Sequence, residues 1–449
     1  MTSLRLLLVL PLVAGGVAGP EVRAMTRILD ANTPAHQAAL RFMRGVNLGN
    51  YLEYAPGNPA ANQTYTVKDF ALIRAEGFDH VRVPVAWHLY AGPAPAFTLS
   101  NTIFTRADFM VNTALSNRLG VLLNLHQFND FMANPQDYRD KFYAIWRQVA
   151  AHYSNAPPTV AFELLNEPSG AATTAVMNQI YPEAIRQIRL TNPDRTLIVG
   201  PGQWNGMDEL KIEPSAGLVL PDNDRNLIVA VHCYDPYYFT HQGAEWALPD
   251  TATTGVLFPG PPPTPLQPDA SITHSWVLDW FRQYNTFPTA SNPSGPAAFT
   301  AKILNVRKWA DYWGRPVHVG EFGCYEKADA QSRVRFYAEI RKTMDELGLG
   351  WAMWDWKAGF HYIKNSQPDP PGMRDAIFPP IELWSSSSGS IQFDAAMGKT
   401  YVVEKASSLT PPLSWRALST QTLASPHFLY QDPELATNAA AFYQVQWIK

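Results

Sequence analysis

The 449-residue chain sets 35 Lys and Arg against 39 Asp and Glu, for a net charge of −4, and 46% of its residues are hydrophobic. That is enough apolar material for a buried core and too little positive charge for a phosphate-binding surface, so nucleic acid is excluded as the expected partner. The length exceeds what one core usually supports, so a large domain with a smaller companion is expected.

In chain order, Met1-Thr2-Ser3-Leu4-Arg5 leads into an apolar run over Leu6 to Val13 and then small residues through Ala18. A positive start, a short apolar stretch and a small-residue exit mark a secretory signal, and the run is too short to span a bilayer. A signal peptide over residues 1–24 is expected, cleaved after Ala18 or Ala24, with a buried N-terminal strand as the alternative. The mature chain would then be secreted or periplasmic, a monomer, and free of membrane spans.

From residue 44 to 356, short apolar runs with polar or glycine-rich exits alternate with amphipathic stretches. Eight strands are expected, at 45–48, 80–83, 121–126, 160–165, 196–199, 227–232, 317–320 and 350–354. Helices are expected over 67–76, 106–119, 137–152, 174–191, 300–313 and 328–347. Alternation of this kind implies a parallel sheet with crossover connections. No glycine-rich phosphate loop opens any helix, which disfavours a doubly wound open sheet and leaves a closed (β/α)8 barrel, a TIM barrel, over residues 25–384. One connection is long, with a proline-rich insertion at about 249–299 that either walls the cleft or decorates the surface.

Ser385-Ser386-Ser387-Ser388-Gly389-Ser390 has the composition of a flexible linker. Residues 391–449 then change character. Short β-branched or aromatic segments separated by turn residues point to a small all-β module whose role is not legible.

Strand ends of a (β/α)8 barrel converge on its active-site face, so polar residues there are the candidates for chemistry. The fourth strand ends in Asn166-Glu167-Pro168 and the seventh in Gly320-Glu321-Phe322-Gly323. Two carboxylates meeting in one mouth can serve a glycosidic bond, one protonating the leaving oxygen and the other attacking the anomeric carbon. Arg82 in His80-Val81-Arg82-Val83-Pro84, His126 in Asn124-Leu125-His126, His232 and Tyr234 in His232-Cys233-Tyr234, and Trp354 also stand at strand ends. Asn47, Glu53, Trp87, Trp204, Tyr237 and Trp246 lie at strand ends or in the loops beyond, where either sugar contact or loop packing would explain them. Cys233 and Cys324 exclude a cysteine-rich metal cluster. Sitting on neighbouring strands, they are expected as two buried thiols rather than a disulfide.

These motifs, in this order over about residues 40 to 380, resemble glycoside hydrolase family 5, the large cellulase and mannanase family of retaining barrel enzymes. The resemblance implies Glu167 as acid/base and Glu321 as nucleophile. It further implies Asn166 on the sugar 2-hydroxyl, Arg82 and Tyr234 orienting Glu321, His126 and His232 lining the site, and Trp354 flooring the subsite before the scissile bond. A guanidinium beside Glu321 should lower its pKa, while Glu167 stays protonated to higher pH. No metal or other cofactor is needed, because carboxylates supply both roles. The expected function is a secreted retaining β-glycanase acting on β-linked polysaccharide or oligosaccharide, an endo-β-1,4-glucanase (cellulase) by family analogy. β-Mannanase and xyloglucanase are alternatives, as is exo-β-1,3-glucanase, which the opening Arg44-Gly45-Val46-Asn47-Leu48-Gly49-Asn50 also resembles. A non-catalytic carbohydrate-binding barrel is the alternative of a different class.

Overall fold

The computed structural model describes residues 7–8, 32–55, 57–213, 217–381, 383–385, 390–395, 398–407, 414–424, 427–433 and 441–448. One compact unit spans residues 27–344 and 349–377, and a second gathers residues 1–26, 345–348 and 378–449.

The first unit is a closed eight-stranded parallel barrel. Its strands are β1 (Arg44–Asn47), β2 (His80–Val85), β3 (Gly120–Leu125), β4 (Val160–Glu163), β5 (Leu197–Val199), β6 (Leu227–Cys233), β7 (Val317–Phe322) and β8 (Gly350–Met353). β8 pairs with β1, so no edge remains. Strand for strand this is the expected barrel. Connecting helices are α1 (Val67–Glu76), α2 (Asn101–Ser116), α3 (Pro135–His152), α4 (Thr174–Arg189), α5 (Ser275–Thr286), α6 (Ala297–Trp313) and α7 (Ala330–Glu346). α4 shows why such segments become helical. Thr173 caps its first turn, and Met177, Ile180, Tyr181, Ala184 and Ile188 repeat at helical spacing as its buried stripe. After β5 the crossover has only the short turns Gly202–Asn205 and Met207–Glu209, so the fifth strand–helix unit lacks a full helix.

Phe42, Leu122, Ala161, Ile198, Ile228 and Ala230 pack into a buried cluster inside the barrel, closing it as a core rather than a pore. The insertion is built as packed structure. Phe258 is buried against Phe239, Phe299 and Phe336, and Val277, Phe281 and Tyr284 form the buried face of α5, a helix the proline-rich composition concealed. None of residues 249–299 lines the cleft, so the insertion does not wall it.

The second unit is all β. β11 (Leu383–Ser385), β12 (Ser390–Asp394) and β15 (His427–Gln431) form one sheet, and β13 (Thr400–Ala406), β14 (Arg416–Thr422) and β16 (Phe442–Ile448) belong to another. The two-stranded hairpin Ile363–Lys364 (β9) and Gln367–Pro368 (β10) belongs to the barrel unit. Ile391, Phe393, Tyr401, Val403 and Tyr443 form the core of the small unit. The Ser-rich run at 385–390 is the segment expected as a linker. Ser385 pairs with Ile391 and Leu383 with Phe393, so residues on both sides of 386–389 lie in one sheet, and the compact barrel unit ends at Ile377. Residues 386–389 themselves lie outside those described. The expected signal peptide also lies outside the described residues except for Leu7–Leu8, which pair antiparallel with Tyr443 and Phe442.

Candidate active site

The strand ends of the barrel open into a cleft of about 1500 Å³ lined by loops following β1, β3, β4, β5, β6, β7 and β8. Because β1 and β5 stand on opposite sides of an eight-stranded barrel, a cleft bordered by both crosses the whole mouth.

At its base Arg82 organises the charges. The guanidinium is wholly buried, and each of its nitrogens has carboxylate or amide oxygens to serve. Nε and one Nη donate to Glu163 at 2.6 and 2.8 Å, and the same Nη reaches Asn166 Oδ1 at 2.7 Å. The other Nη donates to Asn47 Oδ1 at 2.9 Å and to Glu321 at 2.7 Å. All five N–H groups of a guanidinium can be satisfied this way, which is what makes burial of the charge tolerable. Asn47 is in turn fixed by donating to the carbonyls of Gly320 and Met353. Neither Asn47 nor Arg82 lines the cleft; they hold the groups that do.

Glu321 reaches the cleft through an irregularity in its strand. Pairing of β6 with β7 runs Val231 to Val319 and then His232 to Glu321, skipping Gly320. A shift of this kind re-aims a side chain beside a functional site. A Cβ at Gly320 would lie 3.1 Å from the His232 ring, so any larger residue would press on the ring that meets Glu167. Tyr234 Oη donates to the second oxygen of Glu321 at 2.9 Å, so both oxygens have donors. Burial raises the Glu321 pKa, with His232, Arg82 and Tyr234 pulling it back. The net direction is upward, opposite to the expectation drawn from Arg82 alone, because desolvation outweighs the guanidinium.

Glu167 adopts a positive φ of 48°, a strained conformation for a residue with a side chain, at the turn where β4 ends. His232 Nδ1 lies 2.8 Å from its carboxylate, while His232 Nε2 faces the Asn205 amide nitrogen at 3.2 Å. With the Asn205 amide nitrogen facing Nε2, Nδ1–H donates to Glu167 and Nε2 accepts from Asn205. Burial lowers the His232 pKa to about 4, leaving it neutral at ordinary pH. The Glu167 carboxyl is pushed up to about 7, chiefly by burial and further by Glu163, against the pull of Arg82. One oxygen of Glu167 and one of Glu321 lie within 4.8 Å of each other and of a His232 nitrogen. Among the described residues this trio is the grouping that could hold a cation. The guanidinium donating to Glu321 places a positive charge beside any such ion, which opposes it.

Around this centre, His126 and Trp354 stack in parallel at 5.8 Å, and the Trp354 ring covers Gly49, where a Cβ would come within 2.9 Å of it. Burial keeps His126 neutral. Glu53 accepts backbone N–H bonds from Asn50 and Tyr51 and is pushed up to about 7 by burial. Trp204, Tyr237 and Trp246 line the cleft and are exposed by 57, 40 and 62%, so none is spent on core packing. Trp204 is projected by a left-handed turn with φ near 55° at Gln203, Trp204 and Asn205.

Trp87 is the exception among the sequence candidates. It is wholly buried, donates to the Asn124 carbonyl at 3.1 Å and packs on Phe104 of α2, because the turn at Trp87–Tyr90 directs the ring behind the barrel wall. It is core. The structure adds Glu163, Asn205 and Asp355 to the site. A charge inside the apolar run Val160–Glu163 was the available signal for Glu163, and a carboxylate directly after Trp354 the signal for Asp355; Asn205 had none. Asp355 is buried at the cleft floor, accepts the Ala358 N–H at 2.6 Å and is pushed up to about 7 by burial. Cys233 and Cys324 are both buried free thiols, with Cys324 pushed up to about 12.

Two closely set carboxyl groups, one with donors on both oxygens and the other held near neutrality by burial, in the mouth of a (β/α)8 barrel, put this protein among the glycoside hydrolases. Residues 43–359 match the model of the cellulase family, glycosyl hydrolase family 5, and the chain belongs to that family. It is 28% identical over 373 residues to endoglucanase 3 of Fibrobacter succinogenes, covering 78% of this chain and 54% of that protein. It is likewise 28% identical over 315 residues to endoglucanase H of Acetivibrio thermocellus, covering 69% of this chain and 29% of that one. The chain thus spans about half or less of the length of these relatives. Structures of Thermotoga maritima Cel5A with cellobiose and with mannotriose superpose with TM-scores of 0.65 and 0.63 at 28 and 27% identity. Each covers 76% of this chain and 99% of the Thermotoga chain.

Proposed function

We propose that this family 5 glycoside hydrolase is a secreted endo-β-1,4-glucanase working by double displacement with retention of anomeric configuration. The observation that carries the mechanism is the Glu167–Glu321 oxygen separation, within 4.8 Å. Retaining enzymes hold their carboxyl groups about 5 to 5.5 Å apart, whereas inverting ones leave about 6.5 to 9.5 Å for a water. Glu167 gives its proton to the glycosidic oxygen as Glu321 bonds to the anomeric carbon and the leaving chain departs. Glu167, now a carboxylate, takes a proton from water, whose oxygen attacks the anomeric carbon and releases Glu321. Asn166 offers its amide NH2 to the 2-hydroxyl, its Oδ1 being engaged by Arg82. Trp354 floors the subsite before the scissile bond, and no cofactor takes part in either step.

A cleft that crosses the barrel mouth and carries exposed rings suits a chain bound along its length. Relatives named endoglucanases support β-1,4-glucan, and the mannotriose complex of the Thermotoga protein makes β-mannan the second reading. Secretion rests on the N-terminal pattern. Export would remove Leu7–Leu8, and β16 would keep its seven-residue ladder with β13. No described helix is long and apolar enough to cross a membrane.

The test is reducing-end release from soluble β-1,4-glucan, β-mannan, xyloglucan and β-1,3-glucan, with viscosity followed in parallel. Fastest release on β-1,4-glucan with an early viscosity drop is expected. Preference for another glycan overturns the substrate, and slow viscosity loss with steady sugar release overturns endo action.

The pH profile of kcat/KM should be bell-shaped. Glu167 must be protonated and its folded pKa is about 7, so activity falls as pH rises through that value. Glu321 must be ionised, so activity also falls when acidification protonates it. In Glu167→Gln, assayed on an aryl glycoside whose leaving group needs no proton, the limb near pH 7 should disappear from the first step. Its persistence would assign that titration elsewhere.

A further inference from the structure

Outside the cleft, the insertion presents an aromatic surface that the reaction does not use. Trp276, at the start of α5, is 60% exposed, yet it is held in place. His274 stacks on one of its faces at 4.2 Å with an interplanar angle of 13°. His274 is fixed in turn by Asp250 at 2.7 Å. A purely structural ring would turn inward; this one keeps a face open while the stacked His274, itself anchored by Asp250, holds the other. The surface is continuous with the cleft. Tyr238 lies 5.7 Å from Tyr237, a cleft-lining ring, and Tyr237 stacks on His241 at 4.4 Å, which reaches the cleft-lining Trp246 at 6.3 Å. Asp250 lies close enough to act electrostatically on both tyrosines, so a hydroxyl acceptor accompanies the rings.

We propose that Trp276, with Tyr238, His274 and Asp250, forms an auxiliary glycan platform that holds the chain of a β-linked polysaccharide after it leaves the cleft past Tyr237. The chemistry favours this ligand: the axial C–H face of a β-linked sugar lies flat on an indole, and hydroxyls at its rim meet a carboxylate and a phenol. A preorganised ring also lowers the ordering cost of binding. The platform rests on the proposed glycanase function for its ligand class. Its contribution is to long substrates, since no residue of α5 lines the cleft.

The test compares kcat/KM on the preferred soluble polysaccharide with kcat/KM on an aryl cellobioside. In Trp276→Ala the ratio should fall about fivefold, the scale of one lost stacking contact, and Trp276→Tyr should restore most of it. Thermal melting confirms that both variants fold. Affinity electrophoresis in gels containing the polysaccharide reads binding without turnover, and Trp276→Ala should migrate faster than wild type. If wild type cleaves no β-glycan, the proposed function falls, and this mobility difference still decides the platform. An unchanged ratio with equal mobility in a folded variant overturns the proposal. So does a dimer in sedimentation that Trp276→Ala dissolves, because the patch would then be a self-interface.

Discussion

Glu321→Ala is expected to lose on the order of 10⁴-fold or more in turnover on every substrate, because no glycosyl-enzyme can form without the nucleophile. Glu167→Ala is expected to fail differently. With a leaving group that needs no proton the first step survives, and the intermediate then waits for a base whose loss costs about 10²- to 10⁴-fold. Azide needs no base. It should therefore attack the intermediate in Glu167→Ala and release a β-glycosyl azide with net retention. In Glu321→Ala azide can only occupy the cavity left by the missing carboxylate and attack directly, so rescue there gives the inverted product. Proton NMR of the products reads the configuration. Exchanged stereochemistry between the two variants would reverse the roles, and inversion by wild type would remove the double displacement altogether. The geometry supports the assignment given: Glu321 has donors to both oxygens that stabilise it as an anion, whereas Glu167 has His232 alone.

The second large effect is expected at Arg82. Its replacement by Leu leaves Glu163 and Glu321 without their guanidinium in a buried setting, where one orphaned charge costs about 3 to 5 kcal/mol. Chemical denaturation should show a loss of that order, and kcat/KM should fall by about 10²- to 10³-fold, the usual effect of removing one fixed donor at a reacting centre. Arg82→Lys retains the charge but cannot reach Glu163 through two nitrogens and Asn166, Asn47 and Glu321 at once, so it should recover stability only in part. The double variant Arg82→Leu with Glu163→Leu distinguishes the cause. Removing both partners should cost less stability than Arg82→Leu alone, since the closest orphaned carboxylate is gone. Equal or greater loss in the double variant would show that packing volume, rather than an unpaired charge, sets the cost.

The eight strands, six of the helices and the two carboxylates were legible in the sequence because each depends on local information: a run of apolar residues long enough for a strand, a helical stripe, a polar residue at the strand exit. A (β/α)8 barrel repeats one local unit, so the position of a motif along the chain already states its place in the mouth. α5 was hidden by the prolines that precede it, although Val277, Phe281 and Tyr284 repeat at helical spacing. Composition around the Ser-rich run did not reveal that Leu383 pairs with Phe393, because strand pairing is set by contacts between segments and not by residue type alone.

What only the tertiary structure decided is which side chains share a space. Glu163 belongs to the site because Arg82 extends beneath β3 to meet it, a relation between β2 and β4 that no spacing along the chain expresses. Trp87 and Trp204 both follow strand ends and look alike in sequence, yet the turn after β2 drives one ring into the wall and the left-handed turn at Gln203–Asn205 holds the other in the cleft. The pKa values were likewise undecidable beforehand. Arg82 promised a lowered Glu321, but burial is a property of the whole fold, and its cost to a charge exceeds what one neighbouring guanidinium returns.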